Sequence, residues 1–170
     1  PAYNEAENIE RVVNNLIENY PQYDYVIVND GSTDATRKIC AKNNYNLLDL
    51  PINVGLSGAI RSGIRYANYH GYDYAVQLKK PFSLRMLGSN LISFAIRVTT
   101  GGKRIEDVTS GMRLFNKKMI KRFGYNMHYS PEPDTLAYLL NCGVKIEEVQ
   151  VEMHDRIAGV SYLNFKNSIW

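Results

Sequence analysis

The sequence has no apolar run near the roughly 20 residues needed to cross a bilayer. Its most apolar stretch, Leu84 to Val98, is broken by Arg85, Asn90 and Arg97. No leader-like series of basic, apolar and small residues opens it. These absences exclude a membrane span within the sequence and point to a protein of the cytoplasm. There are only two cysteines, Cys40 and Cys142, far apart and without metal-ligand spacing. Both read as small buried hydrophobes in a reducing compartment. The net charge is only +3, so a nucleic-acid partner is not demanded. Repeats, low-complexity tracts and linkers are missing too. So is G-x-G-x-x-G: the first strand-to-helix turn is Tyr3-Asn4-Glu5-Ala6, with no glycine to bring a pyrophosphate onto a helix N-terminus. That removes a dinucleotide-dependent dehydrogenase.

What is present suits one globular domain. Of 170 residues, 45% are hydrophobic and 22% charged, enough to bury a sizeable core. Ile9, Val12, Val13, Leu16 and Ile17 fall at helical spacing, with Asn4 and Glu7 as a capping pair and Pro21 as the stop. Tyr25 to Val28 reads as a strand covered on both faces, followed by a helix opened by Thr33 and Asp34. A weaker strand spans Leu47 to Leu50. Ser57 is placed to cap a helix with Ile60, Ile64 and Ala67 inward and Gly71 as its end. Tyr74 to Leu78 is a further strand. Alternation of this kind predicts an α/β fold, a mostly parallel sheet with helices on both faces.

The second half continues with a helix from Leu84 to Val98, a Gly101-Gly102 turn and an extended run from Met112 to Phe115. A helix from Asn116 to Phe123 ends at Gly124. Another, opened by Pro131-Glu132-Pro133-Asp134, carries Leu136, Leu139 and Leu140 and stops at Gly143. Val149, Val151 and Met153 alternate as a last strand. Basic residues gather here: Arg97, Lys103, Arg104, Arg113, Lys117, Lys118, Lys121 and Arg122. They form either a solvated face or one turned toward phosphates or anionic lipid. The apolar-faced helix and the terminal Leu163, Phe165, Ile169 and Trp170 fit a membrane interface, core packing or a homodimer contact.

Three loops each follow a strand and precede a helix: Tyr3-Asn4-Glu5, Asp30-Gly31-Ser32 and Asn53-Val54-Gly55. In a parallel sheet they share the edge where a nucleotide crevice forms. An acid at a strand's carboxyl end accepts bonds from a ribose or base, and the glycine after it lets backbone approach the ligand. Helix capping by Asp30 and Ser32 is the competing reading, and the coincidence of three loops favours the nucleotide.

These motifs resemble a known family. Pro1-Ala2-Tyr3-Asn4-Glu5, Val28-Asn29-Asp30-Gly31-Ser32-Thr33-Asp34 and Asn53-Val54-Gly55 with Gly58 are similar to the opening of family 2 glycosyltransferases of the GT-A fold. Asp107-Val108-Thr109-Ser110-Gly111-Met112-Arg113, Pro131 to Leu136 and Asp155 to Ser161 resemble the branch of dolichyl-phosphate mannose synthases and bacterial polyprenyl-phosphate glycosyltransferases. The resemblance implies an inverting transferase that moves a hexose from a UDP- or GDP-sugar to a polyprenyl-phosphate or saccharide acceptor. It works in cell-envelope polysaccharide synthesis, in the cytoplasm or peripherally at the inner face of the membrane. Residues 1–170 would form one transferase domain, with its first strand preceding Pro1. Carried over, Pro1, Tyr3, Glu5, Asp30, Gly31 and Asn53 hold the nucleotide-sugar, with Asp30 at the base and Glu5 at the ribose. Arg156 meets a phosphate with its fork of donors, and Asp134 is the general base or orients the acceptor.

The sequence departs from the family at two places. A D-x-D-type pair for Mg²⁺ or Mn²⁺ is expected after Leu78, where Lys79-Lys80-Pro81 stand instead, and ammonium groups cannot ligate a metal. Either a loop segment near 78–84 is missing, or the protein is a catalytically inactive nucleotide-sugar-binding or scaffold protein. Tyr162 also stands where dolichyl-phosphate mannose synthases usually carry Lys, which weakens a lipid-phosphate acceptor.

Overall fold

The computed structural model describes residues 1–77, 96–101, 112–125 and 133–149, with the backbone alone of residues 133 and 134. In chain order the elements are α1 (Ile9–Asn19), β1 (Ile27–Asp30), α2 (Thr36–Lys42), β2 (Leu47–Leu50), α3 (Gly55–Tyr69), β3 (Tyr74–Gln77), β4 (Arg113–Asn116), α4 (Lys117–Tyr125) and α5 (Pro133–Asn141). Residues 96–99 are also helical.

β1 and β2 pair in parallel, Ile27 opposite Leu47 through Asp30 opposite Leu50. Ala2 adds a parallel bridge to Asn29 on the other side. All four residues of β1 are buried, because both faces of the strand are covered. Strand alternation sends Ile27 and Leu47 to one face, where they join Ile9, Val13, Cys40 and Tyr45 from α1, α2 and the loop after it. Val28 points to the other face and meets α3, where a Cβ on Gly63 would lie 3.3 Å from its methyl. Helices therefore cover both faces of the parallel pair, as the alternating pattern predicted.

α3 is shared by two packing units. Its Ile60, Ile64 and Ala67 form a second core with Phe115, Ile120, Phe123 and Leu139. The rings of Phe115 and Phe123 meet edge to face at 5.4 Å. α4 comes close enough to α3 that a Cβ on Gly124 would sit 3.2 Å from the side chain of Asn68. α3 ends in a paired-bond stop: Tyr72 donates to Ala67 O at 3.0 Å and Gly71 to Asn68 O at 3.2 Å, with Gly71 at φ +76°. Val144 and Gly143 end α5 in the same way, with bonds of 3.0 Å to Leu139 O and Leu140 O. Both glycines stand where the sequence put them.

Several sequence expectations need correction. β3 and β4 pair antiparallel, Tyr74 opposite Asn116, so the sheet structure is parallel in one half only among the described residues. The reason lies in exposure. Tyr74 and Val76 face solvent while Ala75 and Phe115 face the core, the half-solvated pattern of antiparallel strands. β1 starts and ends two residues later than expected, because Asn29 and Asp30 bond within the sheet instead of forming the loop. Val12 and Ile17 of α1 are exposed, and only Ile9 and Val13 are buried there. Gly124 lies inside α4 and not beyond it, since the close approach to Asn68 uses its missing side chain. Cys40 is buried but Cys142, past the end of α5, is exposed. Residues 144–149 have no regular structure, and Val151 and Met153 of the expected last strand lie outside the described residues. Most of the helix expected from Leu84 to Val98 and the junction at Lys79-Lys80 lie outside the described residues.

Candidate nucleotide-sugar site

The three loops found by spacing are bonded into one cluster at the carboxyl end of the parallel strands. The first bond set ties loop one to loop two. Asn4 adopts φ +51° and its N–H donates to Ser32 Oγ at 3.0 Å. The Asn4 side-chain oxygen in turn accepts from Thr33 N at 2.9 Å and Asp34 N at 3.4 Å. Glu5 N donates to Thr36 Oγ1 at 2.8 Å and Ala6 N to Asp34 Oδ2 at 3.0 Å. Asn4 is therefore not half of a capping pair for α1. That helix starts at Ile9 after Asn8, without a side-chain cap; Glu5 O takes the N–H groups of Asn8 and Ile9.

A second set runs beneath. Ser32 Oγ–H donates to Asn29 Oδ1 at 2.5 Å, and Asn29 Nδ2 donates to Asp49 Oδ1 at 2.7 Å, its partner across the β1–β2 ladder. Asp49 Oδ2 pairs with Arg37 Nε at 2.8 Å. Asn29 is only 1% exposed, so this chain of bonds satisfies a buried amide as it fixes the second loop.

The third loop is held by Asp30. This residue is 3% exposed, and its Oδ1 accepts from Val54 N at 2.8 Å. Gly55 N donates to Asn53 Oδ1 at 2.9 Å. These two bonds satisfy N–H groups at the entry to α3, so the helix starts at Gly55 and Ser57 lies inside it and not at its cap. Gly31 (φ +63°) passes directly under this loop, where a Cβ would lie 2.5 Å from both Asn53 N and Ile52 C. No side chain fits there.

Of the residues the sequence singled out, Glu5, Asp30, Gly31 and Asn53 take part in these bonds and close approaches, and Pro1 and Tyr3 precede them in the first loop. Tyr3 and Asn53 are exposed, Glu5 and Gly31 half-buried and Asp30 buried. Asp30 spends one carboxylate oxygen on Val54; among the described residues nothing bonds the other. Asp134 lies in the first turn of α5, but its side chain is outside the described residues, and so is Arg156. Sequence reading missed Asn4, Asn29, Asp49 and Thr36 as the residues that lock the loops. The run Asn29 to Asp34 of short polar side chains, each able to bond nearby backbone, was the available signal.

Asp34 shows the electrostatics of the cluster. Burial pushes its carboxyl up, but the Thr36 hydroxyl and the N–H groups of Thr36 and Ala6 outweigh that and hold it below the ordinary carboxylate value. No group of three His, Cys, Asp or Glu among the described residues could hold a metal ion. The place after Gln77 where ligands for Mg²⁺ or Mn²⁺ were expected lies outside the described residues.

A buried acid at the end of a parallel strand, a glycine without room for a side chain beside it and a helix N-terminus opening from the same cluster are features of the ligand-binding edge of an α/β sheet. Residues 1–76 match the model of glycosyl transferase family 2, so the chain carries a domain of that family. It is 36% identical over 172 aligned positions to a poly-beta-1,6-N-acetyl-D-glucosamine synthase of Staphylococcus aureus (strain COL), covering 98% of this chain and 38% of that protein. A synthase of the same name from Staphylococcus epidermidis is 32% identical over 72 residues, 39% of this chain and 18% of the relative. The chain thus spans well under half of the curated relatives it matches. These are polysaccharide synthases, and none of these comparisons supports the dolichyl-phosphate mannose synthase branch. No helix among the described residues is long and apolar enough to cross a membrane.

Two outcomes follow. Gly31→Ala combines a positive φ with a backbone clash and should cost about 2–4 kcal/mol, whereas Gly55→Ala, at φ +76° with open space around it, should cost only about 1. Urea unfolding of both variants checks the order, and equal losses would mean that the Gly31 approach constrains nothing. The second concerns pH. Because the folded-state value of Asp34 is depressed, its contribution is present above the unfolded carboxyl value near 4 and lost as pH falls through the lower folded value. The stability gap between wild type and Asp34→Ala should be constant from about pH 7 to 5 and shrink below about 4.

Proposed function

We propose that this chain is the nucleotide-sugar-binding domain of an inverting hexosyltransferase of cell-envelope polysaccharide synthesis. The donor is a UDP- or GDP-sugar and the acceptor a saccharide. The hexose is an N-acetylglucosamine-type sugar, in keeping with the printed names of the relatives. The acceptor hydroxyl attacks the anomeric carbon from the face opposite the nucleotide, its proton passes to a base, and the nucleoside diphosphate leaves with the bonding electrons. One displacement inverts the centre without a covalent enzyme intermediate.

The single observation that carries this reading is Asp30. Its buried carboxylate is fixed by Val54 on one oxygen, with the other available to a base or ribose donor at the crevice edge. Glu5, Tyr3, Gly31 and Asn53 line the same cluster and take the ribose and base, with Pro1 beside them. Asp134 is the proposed base, and Arg156 the proposed phosphate partner. The proposal takes residues 1–170 as one domain, working in the cytoplasm, at the inner face of the membrane. Mg²⁺ or Mn²⁺ is the expected companion of the diphosphate, and no step here is routed through it. A second reading, an inactive nucleotide-sugar binder, is favoured by Lys79-Lys80 standing where the family carries its metal carboxylates. A polyprenyl-phosphate acceptor is the less supported alternative, given Tyr162.

Asp30→Asn keeps an acceptor for Val54 but loses the charge, whereas Asp30→Ala loses both. In calorimetric titrations with UDP and GDP, both variants should bind the preferred nucleotide about 1–3 kcal/mol more weakly than wild type. Only Asp30→Ala should also lower the melting temperature appreciably. Unchanged nucleotide affinity in both would make Asp30 a structural residue and remove the reading. Transfer of radiolabelled sugar to a saccharide acceptor separates the active enzyme from the inactive binder.

A further inference from the structure

We infer that a second carbohydrate site lies along the far half of α3, a groove that holds a distal stretch of the glycan chain whose end reacts at the loop cluster. The groove has a volume of about 670 Å³. Leu48 and Leu50 of β2, Tyr66 and Tyr69 of α3 and Tyr125 at the end of α4 line it. This is the size of a site for a ligand of several rings.

The lining matches a sugar chain. A pyranose presents apolar C–H faces with a rim of hydroxyls, so it needs flat apolar surfaces beside polar groups. Tyr69 and Tyr125 are 86% and 69% exposed, so their ring faces are open to a ligand. Two of the rings are also held in place before any ligand arrives. His70 lies 4.1 Å between centroids from Tyr66, its ring tilted by 37°, and meets Tyr69 edge-on at 5.3 Å. Asn68 is pinned against Gly124, and neither its carboxamide nor the three phenol hydroxyls has a hydrogen bond among the described residues. An apolar partner would bury those polar groups unpaired, at a penalty for each. A polyanion would ask for several cations, and Arg65 is the only basic residue in the lining. A glycan supplies hydroxyl and amide partners and faces for the rings at once.

The position supports the same occupant. α3 opens in the loop cluster at Gly55 and reaches the groove at Tyr66 to Tyr69, roughly 20 Å further on at the usual helical rise. A chain of several sugars spans that distance, so one polymer could be handled at both ends of one helix. The inference rests on the transferase reading above, and the test keeps the two apart.

The full chain is titrated with a β-1,6-linked N-acetylglucosamine pentasaccharide and, separately, with UDP and with GDP, for wild type, Tyr69→Ala and Tyr69→Ala/Tyr125→Ala. Circular dichroism checks the fold of each. Wild type should bind the pentasaccharide, with affinity reduced about tenfold or more in the double variant and UDP affinity unchanged. Tyr69→Phe should retain most of the binding, since the ring face survives. Pentasaccharide affinity equal in wild type and double variant, or no binding to wild type, overturns the groove and leaves the transferase reading standing. Tyrosine-dependent pentasaccharide binding with neither UDP nor GDP binding supports the groove as a glycan site and removes the transferase reading.

Discussion

The approach of Gly31 to the Ile52–Asn53 backbone, with Asp30 bonded to Val54 beside it, is the constraint on which the rest depends. It fixes the third loop against the end of β1 and so sets where α3 begins. α3 then packs against Val28 on one side and against Phe115, Ile120 and Phe123 on the other. A shift at its first turn would disturb both. The bond also helps explain how a carboxylate can be 3% exposed in the folded chain: one oxygen is satisfied by a backbone N–H.

Much of this was legible in the sequence where the signal is local. The strand at Leu47 to Leu50 appears with the same bounds. The inward Ile60, Ile64 and Ala67 and the stops at Gly71 and Gly143 follow from helical spacing and left-handed backbone. The three loops were identified from their places between strands and helices. What failed was long-range. Asn4 looks like a cap to any local rule, yet its partners are Ser32, Thr33 and Asp34, about thirty residues on. Ser57 looks like a cap for the same reason, and the start of α3 is set instead by Asp30 across the sheet. Similarly, nothing in the run Met112 to Phe115 tells whether it pairs parallel or antiparallel with β3. Val12 and Ile17 satisfied a helical stripe, but what packs on α1 reaches only Ile9 and Val13.

The two proposed functions use opposite ends of one helix. At the N-terminal end the fold gathers backbone N–H groups, a buried acid and a glycine with no room for a side chain, the chemistry of a nucleotide crevice. At the C-terminal end it leaves exposed aromatic rings and an amide without a hydrogen bond among the described residues, the chemistry a sugar-binding surface uses. Polysaccharide synthases are the named relatives across nearly all of this chain, and a polymer-handling surface beside a donor site fits that company.

The central claim is that the loop cluster is organised before any ligand binds. Amide hydrogen exchange of the ligand-free chain measures this directly at Val54, Asn4 and Thr33, each bonded to a side chain from another loop or strand. The account predicts exchange at all three slower by at least about tenfold than at an exposed loop amide such as that of Ile52, and slowing in step with the neighbouring strand. Exchange at the free-loop rate, with protection gained only on adding nucleotide, would contradict it.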